Sequence, residues 1–248
     1  MINLQFPKNE LEFLLDKIFP FIKRRRLQSI FLYILFIFYF SLPAFQIPIL
    51  QYSHFRITSL MEQRAFEHNL LYYPRQSWVN INNINPNVLK AIISMEDGNF
   101  FHHKGIDWKA IKTTIKTNKR RGRIVRGGST ITMQLAKNFY LNTGRNFYRK
   151  AKELLIAFRM EKEISKKAIL QNYINAVEWG VGIFGIKKAS EIYFHKEPTE
   201  LNLNECIRLA SVIPSPLVHK PNVNSNYVLR RSSIIRKRIA DVILFPKN

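Results

Sequence analysis

An all-α domain behind one apolar N-terminal helix is the fold class that the sequence predicts, and three observations carry the prediction. Apolar residues recur at helical spacing from Val88 towards the end of the chain. Ser, Asn or Asp opens most of those segments, as helix caps do. No stretch alternates apolar with polar long enough to read as a strand, and there is no internal repeat. A length of 248 residues suits one domain with a sizeable core. Hydrophobic residues make up 46% of the chain, which excludes a disordered polymer despite the net charge of +22. That charge implies an anionic partner: nucleic acid, a phospholipid surface or a phosphate-bearing substrate.

The N-terminal helix narrows the choice. Ser29 to Leu50 carries no charged side chain and is about as long as the roughly 20 residues that a membrane span needs. Lys23, Arg24, Arg25 and Arg26 lie just before it, which puts the N-terminus in the cytoplasm. The expected organisation is a basic cytoplasmic segment at 1–26, a transmembrane signal anchor at 27–50 and one domain at 51–248. That domain then faces away from the cytoplasm, which removes nucleic acid as a partner. A cleaved signal peptide fits less well, because the apolar run is long and a basic segment of about 26 residues precedes it. Pro43 and Pro48 should end the helix proper near Leu42. Cys206 is the only cysteine, so neither an intrachain disulfide nor a cysteine-based zinc site can form.

The domain's elements follow in order. Tyr72 to Arg75 reads as loop. Asn85-Pro86 starts a helix with Val88, Ala91, Ile92 and Met95 on its apolar face, ending at Glu96 and Asp97. Asp107 caps a second helix with Trp108, Ile111 and Ile115 at helical spacing. Lys119 to Gly128 holds five cations and three glycines, and reads as a basic loop. Ser129 is expected to cap a third helix. Phe147 to Ile164 forms a fourth with Ala151, Leu154, Leu155 and Phe158 inward, and Ser165 caps a fifth carrying Ile169, Tyr173 and Val177. Further helices are expected at 185–194, 203–213 and 228–243, with Pro214-Ser215-Pro216 breaking the chain between the last two.

Several side chains in this frame could carry chemistry. Glu96 and Asp97 end a helix where the macrodipole prefers cations, so they are better explained by function than by stability. Adjacent helical side chains point about 100° apart, so one carboxylate should be catalytic and the other supporting. Glu153 supplies a second acid from another helix, although a surface ion pair with Arg149, Lys150 or Lys152 would explain it as well. Gly127-Gly128-Ser129-Thr130 opens a helix as phosphate-cradling turns do, but lacks the Gly-Lys-Ser/Thr ending of a nucleotide loop. Gln134, Lys137 and Asn138 share a helix face, suited to phosphate oxygens or simply to solvent. His102 and His103 are adjacent and point apart, which argues against a metal site. Phe100 reads as core.

The set, taken together, resembles the peptidoglycan glycosyltransferases of family 51. The resemblance rests on Glu96-Asp97-x-x-Phe100-x-x-His103-x-Gly105, on Gly127-x-Ser129-Thr130-Ile131-Thr132-x-Gln134-Leu135-x-Lys137-Asn138, and on Arg149-Lys150-x-x-Glu153. Lys166-x-x-Ile169-Leu170-x-x-Tyr173-Ile174-Asn175 is similar to the fourth motif, and Ala210-x-x-x-Pro214-x-Pro216 to the end of the domain. The chain stops soon after, which matches the monofunctional members. The resemblance implies a lysozyme-like helical domain with a small, membrane-dipping jaw. It implies polymerisation of lipid II at the periplasmic face of the bacterial inner membrane, with lipid II, the growing glycan, membrane lipid and wall-synthesis proteins as partners. Glu96 would deprotonate the acceptor's 4-hydroxyl, with Glu153 as the second catalytic carboxylate. Ser129, Thr130, Gln134, Lys137, Asn138, Arg145, Arg149 and Lys152 would bind the donor, while Asp97, Phe100 and His103 support. A divalent cation, Mg2+ or Mn2+, often assists in the family, and no organic cofactor is implied.

Two positions depart from the family pattern. Met133 stands where a first Gln is usual, and Gln171 where the fourth motif often has Glu. Neither touches Glu96 or Glu153, so activity is expected to survive with donor affinity lowered at most. Two other functions compete: a glycan-cleaving, lysozyme-like enzyme, which needs no cation cluster, and a membrane-anchored wall scaffold, which needs no clustered acids.

Overall fold

The computed structural model describes residues 12, 25–43, 45–52, 57–68, 77–122, 127–144 and 146–246. The chain divides into two compact units, Met1–Ala44 and Phe45–Asn248. The first unit holds helix α1 (Arg26–Phe40), 15 residues long, whose large apolar side chains from Ile30 to Phe40 are largely exposed. It stops at Ser41, whose hydroxyl donates to the Phe38 carbonyl (2.6 Å), two residues before Pro43. Fifteen residues rise roughly 22 Å. Among the described residues no helix is long and apolar enough to cross a membrane.

The second unit begins within the uncharged run. Its first helix, α2 (Gln46–Ile49), buries Ile47, and Leu50 follows into the same core. Asn172 fixes this start by donating to the Leu50 carbonyl (2.9 Å). Then come α3 (Ser59–Glu67), α4 (Pro86–Glu96), α5 (Trp108–Arg121), α6 (Ile131–Tyr140), α7 (Phe147–Glu163), α8 (Lys166–Ala176), α9 (Ile186–Phe194), α10 (Leu203–Val212) and α11 (Asn226–Arg238). Short 3-10 turns lie at Ile81–Asn83, Phe100–His102 and Ile239–Asp241. The expected Tyr72–Arg75 loop and the Arg123–Arg126 part of the basic loop lie outside the described residues.

The caps are local and cheap to specify. Asn85, Asp107, Asn146, Ser165 and Ser225 each accept a backbone N–H of the first turn, and Asn202 forms a capping box with Glu205. Each such bond is worth about 1 kcal/mol. The third predicted cap is corrected by one residue. Thr130, not Ser129, accepts Met133 N–H, and α6 starts at Ile131. That leaves Ser129 free to face another helix.

Three further expectations change. Two strands, β1 (Glu178–Gly180) and β2 (Ile183–Phe184), pair antiparallel, too short to show any alternation. Gly185, which follows them, has φ +79, and a Cβ there would lie 2.7 Å from the Asn175 carbonyl oxygen. On α5, Trp108 (59% exposed) and Ile115 (61%) face outward, Ile111 is half-buried, and the one buried residue is Thr114. Helical spacing identified an apolar stripe but could not say that the core leaves both its ends, Trp108 and Ile115, uncovered. On α7, Glu153, Ile156, Ala157 and Met160 are buried, whereas Ala151, Leu155 and Phe158 are exposed. The inward face is turned because a neutralised carboxylate occupies part of it. The final helix ends at Arg238 rather than near Ile243, which is exposed.

Two helix clusters set up the site. In one, α4 packs on α10 and α11; in the other, α6 packs on α7, α8 and α3. The C-terminal end of α4 meets the N-terminal end of α6 through Asp97.

Candidate active site

Asp97 is the C-cap of α4 and is 6% exposed. Its carboxylate accepts His103 Nε2 (2.9 and 3.0 Å) and, through Oδ2, the Ile131 N–H (3.0 Å). The last is an unpaired donor of the first turn of α6, where helix dipole and carboxylate attract. Asp97 therefore fixes one helix end against another, and His103 is spent on the same junction. Phe100 is fully buried, with Lys166 Nζ 4.4 Å from its ring centre.

Glu96, the last helical residue of α4, points elsewhere. Its side chain is 9% exposed. Gln134 Nε2 donates to Oε2 (2.9 Å), and Arg231 Nη2 from α11 lies 3.5 Å from Oε1. The Tyr173 hydroxyl of α8 donates to Gln134 Oε1 (2.9 Å), which fixes the orientation of the amide. Burial pushes the Glu96 carboxyl above its ordinary value, and the Asp97 charge adds to that. The Gln134 hydrogen bond and the Arg231 and Lys137 charges oppose it without cancelling it. A carboxyl held above its ordinary value suits a general base.

A cationic cluster forms around Glu153. Arg149 Nη1 lies 2.6 Å from one of its oxygens and Lys150 Nζ 2.5 Å from the other, while Lys150 Nζ also donates to Ser129 Oγ (3.1 Å). Arg149 Nε donates to the Gly144 carbonyl. Lys137, one turn beyond Gln134 on α6, senses the same cluster. Burial lowers its ammonium most, Glu153 raises it, and Arg149, Lys150 and Arg64 lower it further. Both Glu153 oxygens are engaged by cations, so this acid organises the cluster.

The predicted residues thus divide. Glu96 and Gln134 meet directly, and Ser129, Arg149 and Glu153 gather with Lys150, with Lys137 close enough to feel their charges. Thr130 is buried and spends its hydroxyl on the Met133 N–H (3.2 Å) and the Gly105 carbonyl (2.5 Å), so it shapes the turn rather than lining a donor site. Asn138 is buried too. Lys152 lies over the Tyr148 ring (4.6 Å), off the face that carries Arg149 and Glu153. Arg145 lies outside the described residues. Arg231 was missed because it comes 135 residues after Glu96 and carries no local signature. Lys150 stands in the Arg149-Lys150-x-x-Glu153 motif but was given no role in the donor site. Arg64, whose Nε donates to the buried Glu178 (3.0 and 3.1 Å), precedes every recognised motif.

The family model described as Transglycosylase matches residues 63–240. The chain belongs to that family. A biosynthetic peptidoglycan transglycosylase of Janthinobacterium sp. (strain Marseille) is 38% identical over 170 residues, covering 68% of this chain and 74% of the relative. One of Chromobacterium violaceum is 38% identical over 170 residues, covering 68% and 75%. One of Haemophilus influenzae is 36% identical over 214 residues, covering 84% and 86%. The helical second unit accords with a transglycosylase domain. Its two departures from the family pattern have structural explanations. Met133 is 1% exposed, a core residue rather than one at the edge of a site. Gln171 Oε1 accepts the Ile81 N–H (3.0 Å), tying the 3-10 turn to α8.

Proposed function

We infer that the chain is a peptidoglycan glycosyltransferase of cell wall synthesis, and we propose that it polymerises lipid II with Glu96 as the base. One observation carries the residue assignment. A single turn of α6 links both chemistries: Gln134 holds the buried carboxylate, and Lys137 feels the charges of Glu153, Arg149 and Lys150. Residues at this spacing are neighbours, with Cβ atoms about 5–6 Å apart.

In the proposed step Glu96 takes the proton of the acceptor's sugar 4-hydroxyl. The freed oxygen pair attacks the donor's anomeric carbon and inverts it from α to β. The bond from that carbon to the diphosphate oxygen breaks, and undecaprenyl diphosphate leaves with the electron pair. Lys137, Arg149 and Lys150 stabilise the charge it gathers, and fixed cations help most where charge develops. Glu153 holds two of them in place as a positioning residue, with Ser129 on Lys150. A divalent cation fits best as a complex with the diphosphate. Among the described residues no three His, Cys, Asp or Glu side chains gather, and both Glu153 oxygens are taken.

The uncharged stretch before the second unit and the exposed apolar side chains of α1 support single-pass anchoring in the inner membrane, with the catalytic domain on the periplasmic face. Protease accessibility of a C-terminal tag in spheroplasts, against intact cells, tests that topology.

The detergent-solubilised full chain, given labelled lipid II and Mg2+, should build long lysozyme-sensitive glycan, and Glu96→Gln should build none. Near-normal turnover by folded Glu96→Gln would sink the base assignment. Release of soluble muropeptides from purified sacculi would point to glycan cleavage instead.

A further inference from the structure

We propose that Arg231 is a positioning residue for Glu96: a fixed counter-charge from α11 that keeps the carboxylate ionised and aimed at the acceptor hydroxyl. The proposal rests on the reading of Glu96 as the base. Arg231 lies beyond Pro216, outside every segment on which the family resemblance was built.

The contact combines a charge pair with an aromatic hold on the cation. Arg231 Nη2 stands 3.5 Å from Glu96 Oε1, longer than the roughly 2.7–2.9 Å of a charge-assisted hydrogen bond. The side chain is 17% exposed, and its Nε has no hydrogen-bond partner among the described residues. The guanidinium is instead held by a face: its centre lies 5.5 Å from the Tyr227 ring, which is stacked on His219 at 3.8 Å and 9°. An aromatic platform fixes the cation while leaving its charge for Glu96, the acid it pairs with among the described ion pairs. A second oxygen of Glu96 is held by Gln134, so the carboxylate is gripped from two helices.

The other groups around Glu96 do not duplicate this role. Tyr173 of α8 and Tyr227 of α11 are phenols pushed above their ordinary value, mainly by burial, and stay neutral. Lys137 of α6 is a weaker influence on Glu96 than Arg231, and Asp97 beside it acts in the opposite sense. On α10 the buried titratable group is Cys206, raised to about 12 by burial, and the 239–241 turn buries Ile239. Asp241 of that turn is exposed. Arg208 and Glu205 of α10 are engaged with Pro221 and Asn224, and with Lys196.

A neighbouring cation favours the ionised carboxylate and so lowers its pKa. Removing it must raise that pKa and leave less base at neutral pH. The loss should disappear as the pH rises, which a purely structural defect would not do. The test is the pH profile of kcat/KM on lipid II for the full chain and for Arg231→Met, Arg231→Gln and Arg231→Lys, each with its melting temperature. The acidic limb of both neutral variants should move upward by about one pH unit, the low end of what a close opposite charge produces. At pH 7 that is roughly a tenfold loss once the limb lies above neutrality, recovered on the alkaline side. Arg231→Lys should restore most of the limb's position.

A limb that stays put, or a loss equal at every pH, overturns the proposal while leaving Glu96 untouched. So does failure of both neutral variants to fold, since the role would then be structural. The base assignment fails separately, by activity persisting in Glu96→Gln.

Discussion

Tyr173 and Glu96 are linked through a single amide. The phenol donates to Gln134 Oε1 and Gln134 Nε2 donates to Glu96 Oε2, each at 2.9 Å. Three helices thereby set the direction of one carboxylate, since the residues stand on α8, α6 and α4. Burial and the Glu96 and Asp97 charges keep the phenol well above its ordinary value, so it remains a donor across the working pH range.

Tyr173→Phe releases the amide to turn its oxygen towards Glu96. The expected result is a fall in kcat with KM for lipid II little changed. Loss of one buried hydrogen bond should also cost about 1 kcal/mol of stability. Steady-state kinetics with a thermal melt reads both, and an unchanged kcat would mean that Gln134 is oriented by other contacts.

Glu96 should cost stability at neutral pH. Its folded carboxyl is raised above the ordinary 4.5, so the folded state holds its proton longer than the unfolded state does. Stability contributed by the protonated form is present at low pH and lost as pH rises from about the unfolded value to the folded one. Glu96→Gln cannot titrate. It should gain melting temperature relative to the parent across that window and hold the gain above it. A constant difference from pH 4 to pH 8 would contradict the raised carboxyl.

Lys137 should set an alkaline limit. Burial, with the charges of Arg149, Lys150 and Arg64, outweighs the pull of Glu153 and lowers its ammonium below 10.5. The cation facing the diphosphate is therefore lost earlier than on an ordinary lysine as pH rises. Lys137→Arg keeps its charge throughout and should push the alkaline limb of the rate profile upward, whereas Lys137→Met should be slow at every pH. An alkaline limb identical in the parent and Lys137→Arg would assign that limb to another group.

Asp97→Ala removes the acceptor of two donors at once, the Ile131 N–H and His103 Nε2, which is shared between both carboxylate oxygens. Charge-assisted bonds of this kind are worth roughly 1.5–3 kcal/mol each, though not additively. For a domain of this size each kcal/mol lowers the melting point by about 2–4 °C. A drop of several degrees together with a fall in kcat is expected, because the ends of α4 and α6 lose register. Full activity at an unchanged melting temperature would show that packing alone holds the junction.

Much of this was legible in the sequence because it is local. Asn85, Asp107 and Ser165 cap helices from within a few residues of their targets. The turn per residue of a helix predicts that Glu96 and Asp97 diverge; in the fold Asp97 is the non-helical C-cap, and the pair divides into a carboxylate facing Gln134 and one stitching helix ends. The motifs spaced from Glu96 to Pro216 carried the family.

The rest depended on what each segment meets. Apolar spacing gave α5 and α7 a stripe, but packing decided that Trp108, Leu155 and Phe158 face outward. Glu153 could have been a surface acid by sequence alone. Two cations one turn back on α7 neutralise it, and that is what allows the fold to bury it. Thr130 took the cap from Ser129 because its hydroxyl also reaches the Gly105 carbonyl on another segment. Arg231 had no local mark at all. A charge 135 residues away becomes Glu96's neighbour only when α11 packs on α4, and electrostatic strength depends on that distance and on the dry surroundings, neither of which is written in any short stretch of chain.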